Sequence, residues 1–206
     1  MMRPGDKWAG AALALGGLAV AVGAGCAKPP WPFEPFVSKL EIADFRDAQN
    51  IRRYQEEFPE AFYNLDGHGN LTLVLRRKGG ESGDGGNIAQ VVRVRSVWRP
   101  VPNRSVSHRT QINAVMSYYV VGGRVGDTFE GAGAVFFQVG DGDVLEGSID
   151  HAVLRAKRQL SAGEPLFPRA ELSGKFRAVR DRRQVVRIVN ELERRFGPMP
   201  AQTKKP

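Results

Sequence analysis

The stretch Thr128–Arg158, TFEGAGAVFFQVGDGDVLEGSIDHAVLRAKR, decides the fold. At its centre, Gly140-Asp141-Gly142-Asp143 places four turn-forming residues between two apolar runs, a strong short-range signal for a β-hairpin. Thr128–Val139 and Val144–Arg158 are then its two strands. Gly131 and Gly133 interrupt the side-chain row of the first strand at alternate positions. That predicts strong coiling, a bulge or a close backbone approach. The second strand is expected to be bulged near Gly147.

Upstream the same period continues. In Ile88–Trp98, Val92, Val94 and Trp98 point one way and Arg93, Arg95 and Arg99 the other, until Pro100 and Pro102 close the run. Gln111–Val121 is the next strand, and Gly122-Gly123 and Gly126-Asp127 turn it back. Leu71–Leu75 leads into Arg76, Arg77 and Lys78. It follows a turn at Asp66–Asn70 and precedes a flexible connection, Gly79–Asn87. Downstream, Gly163–Pro168 is a loop and Ala170–Arg180 the last strand. Asp181 caps a helix whose one face carries Val185, Ile188, Val189, Leu192 and Phe196 and whose other carries arginines. Gly197-Pro198 stops it. Ser38–Leu65 reads two ways. Phe45, Ile51, Tyr54 and Phe58 fit a helical face with Asp44 or Asp47 as N-cap and Pro59 as terminator, whereas Lys39–Phe45 also fits a short strand. The fold class is mainly β (α+β). About six antiparallel strands form a curved sheet, sandwich or open barrel, with a C-terminal amphipathic helix.

The N-terminus points to location. Arg3 and Lys7 precede an uncharged run, Trp8–Gly25, and Cys26 follows Val22-Gly23-Ala24-Gly25. A basic start, an apolar run and small residues before a cut site make a secretory signal. With cysteine directly after them, the segment resembles a bacterial lipoprotein signal. The resemblance implies that the Cys26 thiol carries a lipid, that cleavage falls just before it and, since Ala27 follows, that the outer membrane (periplasmic side) is favoured. Prolines at 29, 30, 32 and 35 make an extended tether. The expected organisation is a signal peptide over 1–25, lipidated cysteine and tether over 26–37, one β-rich domain over 38–198 and a tail over 199–206. With a single cysteine there is no intramolecular disulfide, so the domain rests on its core.

Net charge is +8. In a membrane-tethered protein, the natural acidic partners are anionic lipid, lipopolysaccharide or an acidic envelope component; nucleic acid is not expected. The arginine row Arg93, Arg95 and Arg99, with Arg76, Arg77 and Lys78 on a neighbouring strand, is the candidate anionic-surface contact, because like charges on adjacent strands repel unless something compensates them. No catalytic residues, cofactor or metal site are expected. His68, His108 and His151 lie far apart without metal-ligand spacing. Asp66–Asn70 would place Arg77 where a calcium loop needs Glu. Asp44, Asp47, Glu56, Glu57 and Glu60 read as a solvated face. No phosphate-binding loop, dinucleotide fingerprint or nucleophile elbow occurs. The expected function is an envelope lipoprotein with a non-catalytic binding or assembly domain. One alternative is a carrier of lipid or another apolar ligand in a lipocalin-like barrel. A second is an envelope hydrolase, which would need His108 or His151 to converge with acids in a cleft.

Overall fold

A computed structural model of the chain describes residues 37–47, 49–79, 88–96, 112–122, 125–159 and 165–197. The expected signal, Cys26, the tether and the tail lie outside them. Nine strands form one sheet: β1 (Ser38–Asp44), β2 (Arg52–Phe58), β3 (Glu60–Leu65), β4 (Leu71–Arg77), β5 (Ile88–Ser96), β6 (Ala114–Gly122), β7 (Val125–Val139), β8 (Val144–Gln159) and β9 (Arg169–Arg180). One helix follows, α1 (Arg182–Phe196). The β7–β8 hairpin turns through Asp141–Asp143, with Gly142 at φ 69°.

The sheet closes. Strands β3 to β8 pair in sequence order, and β8 pairs with β9, which returns to β3. This settles the choice among curved sheet, sandwich and barrel: the core is a closed seven-stranded barrel with β1 and β2 added. From Arg180 the ladder runs through Tyr63, Leu73, Val94, Met116, Gly131 and Leu154 to Ala170, ten residues from its start on the same strand. Seven strands with that stagger, at ordinary strand spacing and rise, tilt by roughly 45° and enclose a radius of roughly 8 Å. Such an interior is just wide enough for side chains to fill. Tyr63, Tyr118, Phe58, Phe129, Phe176, Leu73, Leu75, Met116 and Leu145 are among those that fill it, each less than 2% exposed.

Ser38–Leu65, which read two ways, holds three strands and no helix, which raises the strand count from about six to nine. The alternative reading of Lys39–Phe45 as a strand is the one observed. Arg52–Phe58 misled because β2 pairs only with β1 and is exposed along most of its length, so its charges follow no inside–outside alternation. The sheet is also not wholly antiparallel. β3 runs parallel to β9 over Phe62–Tyr63, while β1 is antiparallel to the earlier half of the same side of β9. β1 is thus a wedge that splits β9 from the continuous β2–Pro59–β3 run. Where the wedge begins, buried Ser38 uses its hydroxyl to accept from Arg177 N (3.2 Å) and donate to Arg177 O (3.4 Å), which satisfies a peptide group between the two partner strands.

The glycines do what their spacing predicts. A Cβ on Gly131 would lie 1.8 Å from Val153 O, so the β7 and β8 backbones meet there at a distance only glycine permits. The β7–β8 register shifts between Ala132 and Ala134. Asn113 bridges that irregularity, accepting from Val135 N (2.8 Å) and donating to Val135 O (2.7 Å). On the β9 side of β8 the bulge falls between Ile149 and Ala152, not at Gly147. Gly147 instead packs against Phe136 O and the Phe176 ring.

Asp181 caps α1 by accepting from Gln184 N (2.9 Å). Val185, Ile188, Leu192 and Phe196 are buried on the outside of the barrel against Val74, Val91, Tyr119 and Phe62. Among the described residues no helix is long and apolar enough to cross a membrane.

Candidate functional site

Two places gather polar chemistry: the outer face of β3–β5, where the arginine row was expected, and the barrel end where β2 and the 165–168 loop meet.

The row is largely compensated from within. Alternation turns Arg76, Arg93 and Arg95 outward, opposite Leu73, Leu75, Val92 and Val94. Arg76 donates to Glu60 at 2.5 Å and Lys78 pairs with the same carboxylate at 2.8 Å. Burial opposes ionisation of Glu60, but these two cations outweigh it and hold its carboxyl below the usual range. Arg77 pairs with Glu56 across the gap between β4 and β2. Arg93 is 9% exposed beneath α1 and pairs with Glu193 at 3.3 Å. Arg95 lies opposite Thr72 and Val115 and is half-buried; Arg99 lies outside the described residues. The clustered acids are therefore partly explained: Glu56, Glu57 and Glu60 are the partners of Arg77, Lys39 and Arg76 with Lys78.

The barrel end is built by inward-facing ladder positions. Arg77, Gln90, Val120 and Asp127 stand in register along its rim. One step deeper lie Leu75, Val92, Tyr118 and Phe129. Phe167 enters from the loop and closes this end, 4.8 Å from the Phe129 ring and 6.3 Å from Tyr118, with Tyr54 at 6.4 Å. The loop is tied down by Leu166 N donating to Asp127 (3.1 Å) and by Arg46 donating to Pro165 O and Leu166 O. Burial pushes the Tyr118 phenol up, Glu56 adds to this and Arg77 opposes it. Gln90 Oε1 is buried without a hydrogen-bond partner. Chemically this is an apolar plug beneath a mixed polar rim.

No family model, curated protein or solved structure matches this chain.

The two described histidines, His68 and His151, do not converge. His68 sits in a turn whose Asp66 carboxylate accepts from His68 N, Asn70 N and the Asn70 amide; the Asn70 hydrogen bonds lead in holding that carboxyl below its usual range. The stretch is thus an Asx-type turn. His151 lies in the β8 bulge at φ 49°, exposed, with Nδ1 against Glu171. His108 lies outside the described residues. Among the described residues no three metal-ligating side chains cluster. Sequence reasoning passed over Phe167, although an aromatic held between Pro165 and Pro168 in a loop is a signal for an inserted plug. It gave Gln90, Tyr118 and Asp127 no role, because their convergence depends on the register between β5, β6 and β7.

Proposed function

We propose that this chain is an envelope lipoprotein, fixed to a bacterial membrane through Cys26, whose barrel offers its outer surface to a partner and performs no catalysis. The observation that carries the reading is the filled interior. Twenty-three buried residues form one cluster inside the barrel, and Phe167 closes one end of it. A barrel whose inside is used for packing has its outside left for recognition. The Cys26 segment supports the location.

The test is metabolic labelling with a radioactive fatty acid, followed by membrane fractionation and cross-linking in intact cells. The wild-type chain is expected to be acylated, shortened and cross-linked to envelope components, and Cys26→Ser to remain an unacylated precursor. Acylation of the Cys26→Ser chain, or turnover of an envelope substrate by the purified protein, would overturn the reading. The alternative, an apolar-ligand carrier, takes support from closure of the barrel. It would require Phe167 and Tyr118 to yield space, and recovery of one lipid per purified chain by solvent extraction would favour it.

A further inference from the structure

The outer face of α1 carries a line of arginines, with one acid, Glu191, at its edge. Arg183, Arg187, Asn190 and Arg194 fall within about 60° of one another at 100° per residue, opposite the buried face of Val185, Ile188, Leu192 and Phe196. All four are exposed, as are the flanking Arg182 and Arg195. The three stripe arginines span about 16 Å along the axis at 1.5 Å per residue.

Two observations set this face apart. First, many of the barrel's cations are paired, Lys39 with Glu57, Arg53 with Glu41, Arg76 and Lys78 with Glu60, Arg77 with Glu56, Lys157 with Glu130 and Arg180 with Asp143, and those that are not paired among the described residues, such as Arg52, Arg155 and Lys175, are scattered over several strands rather than aligned. No carboxylate among the described residues pairs with Arg182, Arg183, Arg187 or Arg194, and Arg187 donates to Gln184 instead. Second, Arg194 and Arg195 in the last turn suit the helix dipole, but the start of the helix, beyond the Asp181 cap, opposes its own preferences. The first turn has no acid and begins Arg182-Arg183 at the positive end of the helix dipole. Arg183 and Arg187 are like charges one turn apart. Local conflicts of this kind mark positions selected for something other than the stability of the helix. The sequence beyond α1 adds Lys204 and Lys205 and no acid.

We propose that the outer face of α1 is a docking surface for an anionic phospholipid bilayer, laying the helix parallel to the membrane with Arg183, Arg187 and Arg194 among the headgroup phosphates. Charge complementarity selects this partner. A straight row of guanidinium groups, each able to take phosphate oxygens bidentately, matches a flat array of headgroups. The face has one exposed aliphatic residue, Val186, so the contact is electrostatic rather than insertive. The inference deepens the membrane placement proposed above and is tested separately from the anchor.

The experiment measures how the full chain partitions onto phosphatidylcholine vesicles and onto vesicles containing phosphatidylglycerol at low salt. The ratio of the two affinities reads the helix; a defective anchor lowers both and leaves the ratio. At about 1 kcal/mol, or roughly fivefold, per arginine near the surface, Arg183→Gln/Arg187→Gln/Arg194→Gln is expected to lower the ratio by about 100-fold. The wild-type ratio is expected to decline as salt rises. Lys39→Gln/Arg53→Gln/Lys157→Gln removes the same charge from paired barrel sites and is expected to change the ratio by less than about threefold, in line with the small worth of exposed pairs. An unchanged ratio in the α1 variant would overturn the proposal. So would an equal loss in the barrel variant, or displacement of the protein from vesicles by duplex DNA at equal phosphate.

Discussion

Replacing Phe167 by alanine tests whether the barrel end is closed by packing. The ring is 4% exposed although it sits in a loop, and it contacts Phe129, Tyr118 and Tyr54. Truncation of a core phenylalanine costs about 3–5 kcal/mol, combining lost transfer energy with the cavity left behind. Water can enter at a barrel end, so the lower half of that range is expected, near 3 kcal/mol. Aromatic pairs contribute about 0.5–1.5 kcal/mol each beyond area burial, so Phe167→Leu should recover most of the burial and still fall about 1 kcal/mol short of wild type. The assay is urea denaturation followed by near-ultraviolet circular dichroism, which reports the aromatic cluster directly, with thermal melting alongside. At ~2–4 °C per kcal/mol for a domain of this size, 3 kcal/mol lowers Tm by about 6–12 °C. Leu166→Ala is the control, since Leu166 is 49% exposed and surface changes stay within about 0.5 kcal/mol. If Phe167→Ala unfolds within about 1 kcal/mol of wild type, the ring is not part of the core and the argument from a filled interior fails with it.

Three further outcomes follow from the fold. Glu60 is held below its ordinary value of 4.5 by Arg76 and Lys78. Its contribution should be present above that pH and lost as pH falls through the depressed value, so Glu60→Gln should flatten the stability–pH curve of the wild type below about pH 4.5 in urea titrations. Asp181→Ala removes the cap on Gln184 N and is expected to cost about 1 kcal/mol, with faster hydrogen exchange confined to α1. Gly147→Ala would set a Cβ 2.2 Å from Phe136 O and 2.6 Å from the Phe176 ring, and overpacking there should cost about 3 kcal/mol; Gly140→Ala, with nothing nearer than 3.7 Å, should be near neutral in the same denaturation assay.

What the sequence disclosed depended on how each segment meets water. β4 to β9 alternate because one face of each looks into the barrel, and α1 shows its stripe because only one side is covered; these elements and the helix core were legible within a few residues. β2 was not, since all of it except Phe58 and half-buried Glu56 is exposed, and Ile51, Tyr54 and Phe58 coincide with a helical period. Closure was also hidden, because the partner of β9 on its far side is β3, more than a hundred residues earlier. The arginine row was read correctly as outward-facing at Arg93 and Arg95. Its compensation by Glu60, Glu56 and Glu193 was hidden, since those acids come from β2, β3 and α1. The arginines of α1 were noted only as the polar side of a helix, because which acids fold beside them is set by the tertiary structure.

The wedge strand also dictates an order of events. Beyond its neighbour β2, β1 pairs only with β9, and the Ser38–Arg177 contact closes a span of 139 residues. β1 therefore waits for nearly the whole domain to follow it before that partner is present. Until then, Leu40 and Ile42 have only β2 to pair beside them, in a two-stranded ribbon too small to be stable alone. The β4–β8 meander can form locally in the meantime, so arrival of β9 is the event that closes the barrel and admits β1. High sequence separation at the final joint makes the chain a slow folder for its size, with its N-terminal strands open to mispairing throughout the delay.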